Sequence, residues 1–250
     1  MQFGAFDKLR LIHRAWRYRR RSESGPMRFV LGHVKPGQIV LDIGANKGAY
    51  TYWMCRLVGP GGRVIAFEPQ LKWADYIESA GRAFGFEQLS VVPAGLSSKA
   101  GNRDLYMPHD NPSGGASFER DTVSSGEKVT VTTCVLDELL TTERAHPVRL
   151  IKCDVEGHEY EIFRGALRTL TEDRPILLFE CQDYRHPDGQ IARVFGLLED
   201  LGYAGRFFDP SDKLRPIDEF DVLIHQAELG STYCDNFVFA HSVSMNEPPA

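Results

Sequence analysis

Apolar positions fall into two rhythms along the chain. Between residues 5 and 21, Phe6, Leu9, Ile12 and Trp16 recur at steps of three and four with arginines between them. That spacing predicts an amphipathic helix. It either packs its apolar stripe on the rest of the molecule or lies as a basic helix on an anionic surface. Ser22 to Pro26 reads as a break.

From Val34 onward, short apolar runs alternate with helical stretches. The predicted strands are Gln38–Ile43, Arg63–Glu68, Leu89–Pro93, Leu150–Asp154 and Ile176–Cys181. The predicted helices are Ala49–Val58, stopped by Gly59-Pro60-Gly61-Gly62, then Lys72–Phe84, a helix after Asp154 to about Leu170, and Ile191–Leu201. Nearly unbroken apolar strands between helices predict a doubly wound, mostly parallel α/β sheet covered on both faces. Tyr203–Phe208 and Asn236–Ala240 predict an antiparallel C-terminal pair at the sheet edge, with an irregular polar stretch between them. Arg103–Tyr106 and Lys128–Val135 read as two further strands around a polar loop holding His109, Asn111 and Ser113, long enough to be either disordered or a functional lid. The expected organisation is a basic arm over 1–33, a main domain over 34–243 with an insertion at 103–136, and a loose tail over 244–250.

The composition fits one large domain: 250 residues, 42% hydrophobic and 25% charged. No run of about 18 apolar residues is present, so no membrane span is expected. Net charge is −5, which argues against a general nucleic-acid binder. Seven of the 29 basic residues lie between Lys8 and Arg21, so a basic arm precedes an acidic body. Its possible partner is a membrane surface, met peripherally. The five cysteines form no C-x-x-C pair and read as buried thiols of a reducing compartment. With no apolar leader segment near the N-terminus, the expected location is cytoplasmic.

The sharpest constellation is Val40-Leu41-Asp42-Ile43-Gly44-Ala45-Asn46-Lys47-Gly48, where the first strand hands over to the first helix. Glycines there allow a tight turn and close approach to a ligand, and the helix N-terminus offers free N–H groups. Glu68 ends the second strand, 20 residues after Gly48, where an acid can take both hydroxyls of a ribose. The Gly44-x-x-x-Gly48 spacing and the carboxylate of Asp42 suit a cationic cofactor better than a pyrophosphate. That favours S-adenosylmethionine over a dinucleotide.

These segments resemble a known family. Asp42-Ile43-Gly44-Ala45-Asn46-Lys47-Gly48 followed by Phe67-Glu68-Pro69 is similar to class I S-adenosylmethionine-dependent methyltransferases. Ile151-Lys152-Cys153-Asp154-Val155-Glu156-Gly157-His158-Glu159 resembles the corresponding segment of the FkbM-type methyltransferases, and Gly114-Gly115-Ala116-Ser117, Val135-Leu136-Asp137 and Phe179-Glu180 agree with it. The resemblance implies a Rossmann-like sheet of seven strands and methyl transfer, commonly to a hydroxyl of a sugar, glycan or polyketide-type product. It implies that Asp42, Gly44, Ala45, Asn46 and Gly48 form the cofactor loop. Tyr50 and Thr51 would meet the methionine carboxylate, Glu68 would hold the ribose, and Pro69 with Gly95-Leu96-Ser97 would border the adenine. Two positions depart from the family pattern: Gln70-Leu71 replaces Asn-Pro, and Gly95 stands where a small residue such as Ala is usual.

Transfer to an alcohol needs alignment and removal of its proton. Asp154 ends the fourth strand, with Lys152 on the same strand face. Glu156 and Glu159 precede a helix, where capping is the plainer role. Asp154 reads as a general base helped by Glu156. Alternatively, Asp154 and Glu180 share Mg²⁺ or another divalent cation with the acceptor oxygen. His158 is a further proton acceptor or an ordinary histidine; His109 and His186 are possible substrate contacts. The polar stretch 107–126, with Asn111, Ser113, Ser117, Glu119 and Arg120, suits a polyol, so a small-molecule or glycan acceptor is expected. Three rivals stay open: a dehydrogenase, a non-catalytic binding module, and a nucleic-acid methyltransferase using the basic arm. Asp154-Val155-Glu156-Gly157 lacks the polar-Pro-Pro-aromatic stretch that holds a base, so no nucleic acid is expected.

Overall fold

The structure is a computed structural model that describes residues 3–109, 115–120, 126–183, 189–226 and 230–241. The N-terminal part comprises α1 (Ala5–Arg17), a π-helical turn (Tyr18–Ser22), α2 (Ser24–His33), β1 (Ile39–Ile43), α3 (Ala49–Val58), β2 (Arg63–Phe67), α4 (Leu71–Phe84) and β3 (Leu89–Val92). The middle adds β4 (Gly95–Leu96), β5 (Gly101–Pro108), β6 (Gly126–Cys134), α5 (Leu136–Glu143), β7 (Val148–Cys153), α6 (Glu159–Arg164) and α7 (Leu167–Glu172). The C-terminal part holds β8 (Ile176–Glu180), α8 (Gln190–Asp200), β9 (Ala204–Phe208), β10 (Leu214–Pro216), α9 (Val222–His225) and β11 (Asn236–Ala240).

The main sheet runs β10-β9-β11-β8-β7-β1-β2-β3. The strands from β8 to β3 are parallel, and β11 runs antiparallel to both β8 and β9. The expected seven strands are therefore present, and Leu214–Pro216 adds an eighth at the edge, antiparallel to β9. Alternation along the central strands sorts their side chains into two cores. Leu41, Ile43, Phe67, Ile151, Leu177 and Phe179 face the side packed by α5 to α8. Val40, Val64, Leu150 and Leu178 face the side covered by α1, α2 and α3. Asp42 and Lys152 share this second face and are register partners across β1 and β7.

β5 and β6, around the insertion, form a separate three-stranded sheet with β4, in the order β4-β6-β5. The loop residues Asn111 and Ser113, His186, and the tail from 244 lie outside the described residues. Several boundaries differ from the sequence reading for identifiable reasons. The helix expected up to Leu170 is split into α6 and α7 at Gly165, where a Cβ would sit 2.5 Å from the Ser97 carbonyl oxygen. Leu136–Glu143 is a helix that the apolar pattern did not announce; the Asp137 carboxylate accepts the N–H groups of Arg168 and Thr169 at the start of α7. The break expected at Ser22–Pro26 narrows to Glu23, because Pro26 sits in the first turn of α2, where a missing N–H costs little. α1 is helical as expected but packs through Leu11 and Ala15, with Phe6 and Leu9 turned to solvent.

Candidate active site

At the carboxyl end of β1 the chain turns through Gly44, whose φ is +72°. A Cβ there would lie 1.8 Å from the carbonyl oxygen of Asp154, so no other residue fits this approach of β1 to β7. The N–H groups of Gly44 and Ala45 donate to the Phe67 carbonyl at 3.1 and 3.0 Å, and the Asp154 N–H donates to Ile43 at 3.1 Å. These bonds lock together the ends of β1, β2 and β7, beside the point where chain order reverses across the sheet. Open α/β sheets bind ligands there. Gly48, also left-handed, sits at the N-terminus of α3.

Glu68 follows β2 and faces this loop. Its two carboxylate oxygens accept the N–H of Asn46 at 2.8 Å and of Gln70 at 2.9 Å. Each oxygen keeps a lone pair for a further donor. Burial pushes the carboxyl up to about 7 against the pull of those two bonds. Asn46 Oδ1 is buried with no hydrogen-bond partner among the described residues. A nucleoside with ribose hydroxyls therefore fits: it meets a preformed carboxylate and a waiting amide acceptor.

The other end of the same cavity is acidic. Glu23, Asp154, Glu156 and Glu180 all line it. One carboxylate oxygen from each of Asp154, Glu156 and Glu180 lies within 4.8 Å of the others, a spacing able to hold a divalent cation. Burial, then the charges of Asp154 and Asp235, push Glu180 well above the usual carboxylate range. Gln182 ties this group together, its amide donating to Glu180 at 2.6 Å and to Asp235 at 3.0 Å. Glu23 arrives from the N-terminal arm and accepts the Tyr50 hydroxyl at 2.6 Å. Burial, then Asp154, raises it to about 7.

Of the residues picked out by sequence, Gly44, Asn46, Glu68, Pro69, Leu96, Asp154, Glu156 and Glu180 line this one cavity. Others stand behind its wall. Lys152 is buried, its ammonium 3.3 Å from Asp154, 3.7 Å from Asp42 and 3.3 Å from the Gly44 carbonyl. Burial alone would lower its pKa, but Asp154, Asp42 and Glu23 raise it above the ordinary lysine value. Thr51 donates to Asp42 at 2.5 Å rather than facing the cavity. His158 is buried beside Ser97, with Nδ1 2.8 Å from Glu119 and Nε2 3.1 Å from the Ser97 hydroxyl. Both line a second, separate pocket. The Ser117 hydroxyl donates to the Glu156 carbonyl at 2.6 Å, pinning the turn after β7 to the insertion. Gly95 is accounted for by Phe118, whose ring would stand 2.4 Å from a Cβ at that position.

Sequence reasoning missed Tyr18, Glu23 and Phe118, which also line the cavity, as does Gln70, noted from the sequence only as a departure from the family pattern. Only Glu23 carried a signal: it is the first acid after a run of arginines, and it sits at the break between the two N-terminal helices.

The fold and this loop define a Rossmann-like α/β protein with a nucleoside-type site. Residues 42–204 match the methyltransferase FkbM domain, and the chain belongs to that family. It is 30% identical over 172 residues to the hexuronic acid methyltransferase AglP of Haloferax volcanii, covering 67% of this chain and 66% of AglP. The chain thus spans just under two thirds of that relative. Its fold is similar to that of the methyltransferase FkbM of Methylobacillus flagellatus, with a TM-score of 0.52 and 14% identity over 96% of this chain and 61% of that one. It is also similar to an O-methyltransferase of Bacillus cereus solved with S-adenosylhomocysteine, with a TM-score of 0.52 and 15% identity over 95% and 90% of the two chains.

Proposed function

We propose that the protein is an S-adenosylmethionine-dependent methyltransferase acting on a hydroxyl of a sugar or glycan. The observation that carries the reading is one cavity with Glu68 and Asn46 at one end and the Asp154 carboxylate at the other. When bound, S-adenosylmethionine supplies an electrophilic methyl group on a sulfonium. Glu68 would hold the ribose hydroxyls, and the Gly44–Asn46 backbone would lie against the cofactor. Pro69 and Leu96, which line the cavity, would border the adenine. Asp154 receives the proton of the acceptor hydroxyl, and Lys152 behind it fixes its orientation. The excess of carboxylates suits a positively charged cofactor.

The acceptor class draws support from AglP, whose name records action on a hexuronic acid. Among the described residues, the cavity wall contributes five carboxylates and neither lysine nor arginine. A second reading rests on the converging oxygens of Asp154, Glu156 and Glu180, which would hold Mg²⁺ or Ca²⁺ and acidify the acceptor hydroxyl.

The test is calorimetric titration with S-adenosylmethionine, with NAD as control, on wild type and Glu68→Ala, followed by methyl transfer to a panel of neutral sugars, hexuronates and catechol. Binding that collapses in Glu68→Ala and turnover of sugars support the reading. Absence of binding by folded protein, or turnover of catechol alone, overturns it. Full activity after EDTA stripping removes the second reading; restoration by Mg²⁺ supports it.

A further inference from the structure

α1 is held to the body by one face only. Leu11 and Ala15 are buried, the Trp53 indole N–H donates to the Ala15 carbonyl at 3.0 Å, and Arg14 donates to the Lys47 carbonyl at 3.4 Å. At about 100° per residue, the opposite face brings together two kinds of side chain over an arc of roughly 120°. Phe6 and Leu9 are 70% and 64% exposed, and Trp16 is partly so. Arg10, His13 and Arg17 are exposed among them, and Arg20 stacks over Trp16 at 4.7 Å. The single acid of α1, Asp7, is turned to accept the Gly4 N–H at 3.1 Å.

We propose that this face of α1 docks on an anionic lipid surface. The arginines meet the headgroups, and Phe6 and Leu9 enter the acyl boundary, while Trp16 stays packed edge-on against Trp53 at 5.3 Å. Charge complementarity selects the partner and also the orientation. Outside residues 7–21, 22 basic residues stand against 33 acidic ones, so the rest of the molecule is repelled by the same surface. A nucleic-acid backbone would satisfy the arginines but offers no apolar layer for Phe6 and Leu9, which is why lipid is the better match. The proposal is independent of the methyl-transfer reading.

Sedimentation of the full chain with phosphatidylcholine vesicles, with and without phosphatidylserine, tests it. Binding is expected only with phosphatidylserine and should weaken as salt rises. Arg10→Gln with Arg17→Gln should lower affinity about fivefold per arginine. Phe6→Ser with Leu9→Ser should lower it by about tenfold or more. Both double variants leave the buried face of α1 intact, so wild-type melting curves serve as the folding control. Failure of folded wild type to bind phosphatidylserine vesicles overturns the proposal, as does unchanged binding in the Phe6/Leu9 variant. Tighter binding to duplex DNA or RNA, lost only in the arginine variant, assigns the face to nucleic acid instead.

Discussion

Removing Lys152 exposes how the site is held together. Its ammonium is the cation nearest to Asp42, which is fully buried and reaches it at 3.7 Å. Burial raises the Asp42 carboxyl; Lys152 and the Thr51 hydroxyl oppose that rise. In Lys152→Met the hydrogen bond from Thr51 survives, but the countercharge does not. Deleting one partner of a buried pair costs about 3–5 kcal/mol. The retained hydroxyl, and the option of protonating Asp42, place the expected loss near the lower end, about 3 kcal/mol at neutral pH. For a chain of this size that is roughly 6–12 °C in melting temperature. The loss is pH-dependent with a definite sign. Without Lys152, the folded-state pKa of Asp42 climbs further above its unfolded value. The folded protein then holds a proton that the unfolded chain releases, so stability is greatest in acid and declines as pH rises. The gap between wild type and variant should widen from pH 5 to 8 in urea denaturation. Asp42→Asn in the Lys152→Met background removes the uncompensated charge and should recover most of the loss. A single-variant cost under about 1 kcal/mol, a gap that does not grow with pH, or a double variant no more stable than Lys152→Met would refute the reasoning.

Three further outcomes are expected. Gly44→Ala should cost about 3 kcal/mol or more and abolish cofactor binding, because its Cβ would strike the Asp154 carbonyl and its φ is left-handed; calorimetry and denaturation showing a near-wild-type protein would contradict this. Glu159 is buried, accepts the Gly157 N–H at 3.2 Å, and burial lifts it to about 8. Its contribution to stability is fully present below the unfolded value near 4.3 and fades as pH rises toward 8; Glu159→Gln should flatten the fall in stability between pH 5 and 8, and an unchanged slope would exclude Glu159 as its source. Glu23, held at about 7, should lose its proton as a cationic cofactor enters; titrations near pH 6.5 in buffers of different ionisation enthalpy should report proton release, and proton uptake would disprove it.

The alternation of apolar strands and helices, the glycine loop after β1 and the acid after β2 are local properties, and they were legible in the sequence. Parallel strands buried on both faces need continuous apolar runs, and a turn against a neighbouring strand needs glycine. Those constraints pointed to the fold, to the Gly44–Glu68 end of the cavity and to Asp154. The other end was decided by tertiary structure. Lys152 lies behind the cavity wall, not in it, because the β1 and β7 register sets it opposite Asp42 on the face beneath α3. Glu23 enters the cavity because the N-terminal helices fold over that same face, bringing it to Tyr50, 27 residues away in the chain. Phe118 reaches Gly95 only once the insertion forms its own sheet. The stripe of α1 was legible as a helix, but which side it buries was not: helical spacing gives the period of a pattern, and the shape of the surface that receives the helix selects Leu11 and Ala15 over Phe6 and Leu9.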